Sequence, residues 1–357
     1  MVLDLKIAII GIVGLPASYG GFETLVENLV MDASLDATVY CSGPHYKSKP
    51  SKFKSSRLVY LPISANGPMS VLYDIWALLH AIANGHRQLL ILGISGAVIL
   101  PVIKFFSPSI HIVTNIDGIE WRRDKWGKFA KWFLQISEAL AVKNSSVIIA
   151  DNKAIADYVR TFYSKDCETI AYGGDHAVVE FVAEKIECNL TSINDFAFSV
   201  CRIEPENNVQ LILESFAFTK KPLVFVGNWQ SSLFGRELFR KYSGVPNMRL
   251  LNPIYDLKTL AVYRMNCFAY IHGHSAGGTN PSLVEMMHFN KPIIAFDCIY
   301  NRATMDNHGS FFSTYEELNE IINADGPLPG GAELVQIARR RYTWDFVRKM
   351  YLDLFDH

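Results

Sequence analysis

The sequence predicts an α/β protein of two Rossmann-like domains, each built on a parallel sheet, facing one another across a cleft. Three observations lead there. Short apolar runs alternate with amphipathic helical stretches, the alternation gives way to a polar, weakly periodic tract over 173–195, and it then restarts. Such alternation means parallel strands with helical crossovers, because parallel neighbours cannot be joined by a tight turn. The expected domains are 1–178 and 179–342, with a last helix in 343–357 packing back toward the first.

Strands are expected at 6–11, 37–41, 57–61, 88–93, 110–114, 146–150 and 167–171. The helix after the first strand follows from Phe22, Leu25, Val26, Leu29 and Val30, one apolar face at helical spacing. The longest apolar stretch, "LLILGISGAVILPVI" at 89–103, is too short to span a bilayer and is broken by Gly93, Gly96 and Pro101. It predicts a buried strand followed by a helix. The second half offers strands at 196–200, 222–226, 267–271 and 292–296, and "TWDFVRKMYLDLF" at 343–355 is the final amphipathic helix.

A chain of 357 residues suits two domains; 50% hydrophobic and 19% charged residues with net charge −1 exclude a disordered chain. That balance gives no global electrostatic case for nucleic acid. A mean hydropathy of +0.13 is high and hints at contact with a membrane surface. Cys41, Cys167, Cys188, Cys201, Cys267 and Cys298 form no CxxC or zinc spacing and are expected to be reduced thiols of a cytoplasmic protein. Asp4 and Lys6 precede only a short apolar run, so no signal peptide is expected.

Ligands of doubly wound sheets sit beyond the carboxyl ends of the strands, so the loops there carry the argument. "GIVGLPASYGG" at 11–21 sets glycines before a helix N-terminus, a pairing suited to phosphate. Its spacing fits neither GxGxxG nor a lysine-bearing phosphate loop, and a tight turn needing positive φ is the alternative. In "NIDGIEWRRDKW" at 115–126, Asp117 and Glu120 stand where acid/base or hydroxyl-binding groups belong, against a helix cap and a solvated acid. Beyond them Trp121, Arg122, Arg123, Trp126, Lys128 and Trp132 mix cations with large aromatics, which suits an anionic lipid interface or, alternatively, core packing with solvated lysines.

"AYGGDHAVV" at 171–179 places Asp175 and His176 at the domain junction, as cleft residues or as part of a plain hinge. "CRIEPENN" at 201–208 sends Arg202 out of a strand toward a helix starting near Pro205, placed to clamp a diphosphate unless it is a simple surface arginine. The densest motif is "HGHSAGGTNPSLVEMM" at 272–287. His274, Gly277, Gly278, Thr279 and Asn280 form a small-residue loop with Asn280 or Thr279 as N-cap and Pro281 as first helical residue, and Glu285 follows one turn in. Backbone amides there suit a phosphate or sugar, and Glu285 suits ribose hydroxyls. Two histidines alone do not make a zinc site.

A glycine-rich loop after the first strand, an arginine after the first strand of the second domain and a loop-helix bearing a glutamate together resemble the GT-B glycosyltransferases of family 4. "GLPASYGGFETLVENL", "NIDGIEWRRDKW", "CRIEPENN" and "HGHSAGGTNPSLVEMM", in this order, resemble more specifically the bacterial rhamnosyltransferase branch. That branch includes capsule β1,4-rhamnosyltransferases, which typically use dTDP-L-rhamnose. The resemblance implies that Gly20 and Gly21 approach the donor diphosphate, Arg202 clamps it, Glu285 binds the ribose and Asp117 lies near the transferred sugar. It also implies retention at the anomeric carbon.

Two departures stand out. The lysine that usually follows the arginine is replaced by Asn207 or Asn208, so the missing charge is expected from Arg302 or from backbone amides. The glutamate usual eight residues before the ribose-binding one falls on Gly277, a change compatible with a 6-deoxy sugar. The expectation is a glycosyltransferase, peripheral at the inner face of the cell membrane, that moves a sugar from a nucleotide sugar to a lipid-linked saccharide for capsule or O-antigen. No cofactor, essential metal or nucleic-acid partner is expected. A UDP- or GDP-sugar donor, a sugar-nucleotide epimerase and a non-catalytic sugar-nucleotide-binding subunit are the rivals.

Overall fold

A computed structural model describes residues 6–17, 20–31, 35–123, 126–179 and 195–355. It divides into two compact units, Met1–Tyr172 with Trp344–His357, and Gly173–Thr343. Most of the polar tract expected as a linker, and Cys188 within it, lies outside the described residues.

The first unit is an eight-stranded sheet of β1 (Lys6–Ile10), β2 (Asp36–Ser42), β3 (Lys52–Phe53), β4 (Ser56–Leu61), β5 (Gln88–Leu92), β6 (His111–Asn115), β7 (Val147–Ala150) and β8 (Glu168–Thr169). Their order across the sheet is β3-β4-β2-β1-β5-β6-β7-β8. Every pair is parallel except β3 with β4, a two-residue hairpin turned by Lys54 at φ 53°. The central strands read as unbroken apolar runs because both faces are covered; Ile7, Ala8, Ile9 and Ile10 are all buried. Helices α1 (Gly21–Leu29), α2 (Met69–Ala83), α3 (Leu100–Phe106), α4 (Lys128–Asn144) and α5 (Lys153–Tyr163) make the crossovers.

The second unit is a six-stranded parallel sheet of β9 (Ala197–Val200), β10 (Leu223–Val226), β11 (Met248–Leu251), β12 (Ala269–His272), β13 (Ile293–Phe296) and β14 (Ser310–Phe312). The order is β11-β10-β9-β12-β13-β14. Helices α6 (Val209–Ala217), α7 (Leu233–Tyr242), α8 (Leu257–Asn266), α9 (Pro281–Met287), α10 (Ile299–Met305), α11 (Tyr315–Asn323) and α12 (Gly331–Arg341) flank it. Trp229, fully buried, sits edge-on to Phe225 in its core.

The last helix, α13 (Trp344–Asp353), belongs to the first unit and packs on α1. Its Tyr351 hydroxyl accepts a hydrogen bond from Asn115 Nδ2 at 2.7 Å. The carbonyl of Phe355 accepts from Gln88 Nε2 at 3.2 Å.

Each strand order reverses direction once, at β1/β5 in the first unit and at β9/β12 in the second. Crossovers leave these neighbours in opposite directions, which opens a crevice beyond their carboxyl ends. The 11–20 and 201–208 loops follow one strand of each crevice, and the 93–97 and 273–280 loops follow the other.

Candidate functional site

The crevice of the second unit gathers most of the residues singled out in the sequence. Arg202 leaves β9 with an exposed side chain, and its nearest acid is Glu204 at 3.7 Å. A 3₁₀ turn over Pro205–Asn207 comes next, so α6 itself begins at Val209. Asn207 is buried and clasps two loops together: its Nδ2 donates to the Arg202 carbonyl at 2.6 Å, and its Oδ1 lies 2.5 Å from His274 Nδ1. Asn208, at φ 48°, donates to the Gly273 carbonyl at 2.8 Å. The loop after β12 returns the favour through Ser275, whose N–H and Oγ both donate to the Glu206 carbonyl at 3.0 and 2.8 Å.

Gly273 is required here, because a Cβ would stand 2.1 Å from the Asn207 carbonyl oxygen. Gly277 takes φ +98°, and Gly278 and Thr279 behind it are buried. Asn280 is the N-cap of α9, with Oδ1 accepting from the Ser282 N–H at 3.0 Å and from its hydroxyl at 2.7 Å. Of the two cap candidates, Asn280 and Thr279, Asn280 is the N-cap, with Pro281 at the first helical position.

Glu285 projects from α9 and has two partners. Arg264, a buried guanidinium on α8, donates from Nη2 to Glu285 Oε2. His176 Nε2 lies 3.5 Å from Oε1. His176 reaches it because Gly174 has no side chain: a Cβ there would meet the Val284 backbone at 2.6 Å. The 3₁₀ turn over Asp175–Ala177 therefore lies against α9, and Asp175 and His176 are parts of the second unit's site. Burial lowers the His176 pKa, with Glu285 opposing and Arg264 reinforcing the shift. Its imidazole is neutral at neutral pH and can exchange a hydrogen bond with a sugar or nucleotide hydroxyl.

Arg302 does not replace the missing lysine. Its Nε and Nη2 grip Asp297 at 2.5 and 2.7 Å and its guanidinium lies 4.3 Å from the Phe311 ring centroid. The charge is committed, and the Arg302 hydrogen bond holds Asp297 below the usual carboxylate range. Asn207 and Asn208 are structural clasps, and Arg202 is the exposed cation of these two loops.

The glycine-rich loop of the first unit divides by role. Gly11, at φ +99°, would place a Cβ 2.0 Å from the Leu92 carbonyl oxygen, and Gly14 would strike Cys41 at 2.8 Å. Those two glycines serve close packing. Glu23, the acid in the first helical turn, is buried and accepts from the Val13 N–H at 2.8 Å, while Glu27 accepts from the Ala17 N–H at 2.7 Å. Two loop amides are thus occupied by carboxylates of α1. Gly20, the N-cap, and Gly21 stand at the helix start, where backbone N–H groups suit an anion.

Asp117 follows β6 at φ +60°, its N–H donating to Asn115 Oδ1 at 2.9 Å. Glu120 accepts from Arg123 Nη1 at 2.9 Å and from Trp126 Nε1 at 3.0 Å. The basic-aromatic segment is likewise divided. Trp121 donates to Glu138 Oε1 at 3.4 Å, and Arg122 lies 5.2 Å from the ring centroids of both Trp121 and Tyr158. Trp121, Arg123 and Trp126 are therefore spent on internal polar contacts, while Lys128 and Trp132 on α4 are exposed.

Arg264 and Glu138 were not among the residues expected from the sequence. Glu138 is fully buried, and its Oε1 also accepts from the hydroxyls of Tyr158 and Tyr163, each at 2.7 Å. A charged residue on an otherwise apolar helix face was the available signal in both cases. Among the described residues no group of three or more His, Cys, Asp or Glu side chains is placed to hold a metal ion. No described helix is long and apolar enough to cross a membrane.

Residues 5–175 match a family described as a domain of unknown function, DUF1972. No curated protein matches the chain. Among solved structures, a sucrose-phosphate synthase from Thermosynechococcus elongatus is 14% identical with a TM-score of 0.79, over 98% of each chain. HepE of Anabaena in complex with UDP is 14% identical with a TM-score of 0.73, over 98% of this chain and 99% of its own. A glycosyltransferase from Rickettsia africae is 12% identical with a TM-score of 0.72, over 99% and 98%. The two parallel-sheet Rossmann-like units are thus those of the GT-B fold.

Proposed function

We propose that this protein is a glycosyltransferase that takes a nucleoside-diphosphate sugar in the second unit's β9/β12 crevice. The observation that carries the reading is the side-chain set at that crevice: Glu285 fixed by Arg264, the amide-rich 275–280 loop and the exposed guanidinium of Arg202. Glu285 accepts from the ribose hydroxyls. Arg202 and loop amides stabilise charge as it develops on the departing nucleoside diphosphate, the largest catalytic contribution such a site can make. Gly20, Gly21 and Asp117 keep the roles the resemblance gives them, and no step requires a metal. HepE, a structural neighbour, is solved with UDP-glucose, which supports a nucleotide sugar as ligand class.

The donor we favour is dTDP-L-rhamnose. Gly277 leaves no carboxylate where the resembling enzymes recognise a sugar hydroxyl, and a 6-deoxy sugar presents one fewer. The acceptor we favour is a lipid-linked saccharide of a surface polysaccharide. A UDP-sugar is the second reading, on the strength of the UDP and UDP-glucose complexes of HepE.

The test is a panel of nucleotide sugars with EDTA present, scored by thermal shift and nucleoside diphosphate release. Stabilisation and slow release with dTDP-rhamnose alone support the favoured donor. A response to UDP- or GDP-sugars instead overturns that donor and keeps the reaction class. Stabilisation without release from any sugar, acceptor mixture included, moves the protein to the non-catalytic reading.

A further inference from the structure

The first unit exposes more apolar surface than a soluble crossover layer needs. On α2, Met69, Leu72, Trp76 and Leu79 recur at helical spacing and are 45%, 53%, 44% and 48% exposed. The opposite side of the same helix, with Tyr73, Ala77, Leu78 and Ala81, is fully buried. On α3, Phe105 and Phe106 are 79% and 76% exposed, and on α4 Phe129 and Trp132 are 78% and 55% exposed. Ser137, Glu138, Ala141 and Val142 fill the buried side of α4. All these apolar side chains therefore point away from the sheet.

They also share one side of it. The connections β4 to β5, β5 to β6 and β6 to β7 all advance the same way across the sheet. Right-handed crossovers then place α2, α3 and α4 on one face. Contacts agree: the Gly96 backbone that leads into α3 lies so close to α2 that a Cβ would meet Asp74 Cβ at 2.5 Å, and α3 packs on α4. Three neighbouring helices thus present aromatic and aliphatic side chains outward as one layer, far beyond scattered surface apolars.

Charge identifies the occupant. Helices α2, α3 and α4 carry four lysines, Lys104, Lys128, Lys131 and Lys143, and two acids, Asp74 and Glu138. Asp74 is buried, with Ser95 Oγ donating to it. The one acid of α4, Glu138, is buried too, while Lys128 and Lys143 are exposed. The face therefore shows apolar rings and cations and keeps its carboxylates inside, in a chain whose net charge is −1. Exposed aromatics flanked by lysines match the boundary of a bilayer bearing anionic headgroups, whereas a nucleic-acid surface would not call for the aliphatic stripe.

We propose that the outward face of α2, α3 and α4 docks on an anionic lipid surface. This is a different surface from the 121–126 turn, whose tryptophans are tied inward, and it does not depend on the sugar-transfer reading. The test is co-sedimentation of the full chain with phosphatidylcholine–phosphatidylglycerol vesicles against phosphatidylcholine vesicles alone. Wild type is expected to sediment with the mixed vesicles, more weakly as salt rises. A variant carrying Leu72→Ser, Trp76→Ser, Phe105→Ser and Phe106→Ser is expected to lose about tenfold or more in partitioning. Those side chains are exposed, so its melting temperature serves as the folding control. Lys128→Gln with Lys143→Gln is expected to weaken binding to the mixed vesicles only. Failure of wild type to bind, or equal binding by the serine variant with its fold intact, overturns the proposal. So does light scattering that shows a dimer dissolved by the serine substitutions in a chain that ignores vesicles, because the face then meets a second copy.

Discussion

Arg264 and Glu285 form an ion pair whose two ends live in different surroundings. The guanidinium on α8 is buried and donates to Glu285 Oε2, while the carboxylate side chain keeps 15% of its surface exposed. A guanidinium inside the protein thus fixes a carboxylate at the crevice, where it is held in place to accept hydrogen bonds. Removing the buried partner is expected to be worse than removing both. Arg264→Met should lower stability by about 3 kcal/mol or more, as for breaking a buried pair, and weaken nucleotide binding. Arg264→Met with Glu285→Gln should recover part of the stability but none of the affinity. Urea unfolding and nucleoside diphosphate titration of both variants measure the two effects separately.

Arg202 differs in being exposed and paired with Glu204 only across 3.7 Å. Such a surface pair contributes almost nothing to stability. Arg202→Ala should leave the melting temperature unchanged and reduce turnover by about 10²-fold or more, the scale of losing a charge-stabilising donor. Unchanged kinetics with the preferred donor would refute the diphosphate clamp.

The loop at 11–20 is set by packing and by its own helix. Gly11→Ala would put a Cβ 2.0 Å from the Leu92 carbonyl oxygen at φ +99° and should destabilise the first unit by at least about 2 kcal/mol. Glu23→Ala leaves the Val13 N–H without its carboxylate acceptor and should lose about 1–3 kcal/mol. Chemical denaturation of each variant checks both figures; a Glu23→Ala protein as stable as wild type would show that the loop does not depend on that bond.

These residues also show what pattern reading can and cannot reach. Strands buried on both faces are continuous apolar runs, so β1, β2, β5 and β9 were legible from composition alone. The short β3, β11 and β14 were not expected: β3 has two residues, β11 carries Arg249, and β14 has three residues. The 272–287 motif was legible because its N-cap, first-turn proline and glycines have local signatures. Arg264 showed only as a charge on an apolar helix face, because its partner is 21 residues away on another helix. Glu23 opens α1 with an acid, and its purpose depends on a backbone N–H ten residues earlier in the chain. Trp121 and Trp126 misled for a related reason: helical spacing cannot tell an indole N–H that meets a carboxylate from one that meets lipid.

Titration should act with opposite signs in the two units. Burial pushes Asp74 up to about 7, so the folded first unit holds a proton that the unfolded chain releases near its ordinary value of 3.8. That contribution is fully present below the unfolded value and is lost as pH rises through about 7. His176, His272 and His288 are lowered from 6.5, chiefly by burial. Their contribution is present above 6.5 and is lost as pH falls from there through the folded values. Hydrogen exchange against pH is expected to show the first unit loosening toward the alkaline side and the second toward the acid side. Asp74→Asn should flatten the first trend and leave the second alone.

The missing lysine gives the sharpest test of how this crevice differs from the enzymes it resembles. Restoring it at 207 should fail. Asn207 is buried, and its amide uses both ends, giving to the Arg202 carbonyl at 2.6 Å and meeting His274 Nδ1 at 2.5 Å. A lysine cannot accept, so Asn207→Lys leaves His274 without that partner and forces an ammonium into a space shaped for an amide. It should destabilise the second unit by roughly 3 kcal/mol and lower affinity for a nucleoside diphosphate. Asn208 is half-buried and gives only one bond, to the Gly273 carbonyl at 2.8 Å. Asn208→Lys should lose about 1 kcal/mol, largely from the left-handed backbone that asparagine tolerates best, and its added cation should tighten diphosphate binding in low salt. Paired unfolding curves and calorimetric titrations decide the matter: a stable Asn207→Lys protein that binds diphosphate more tightly would show that position 207 is a phosphate subsite and that the clasp is dispensable.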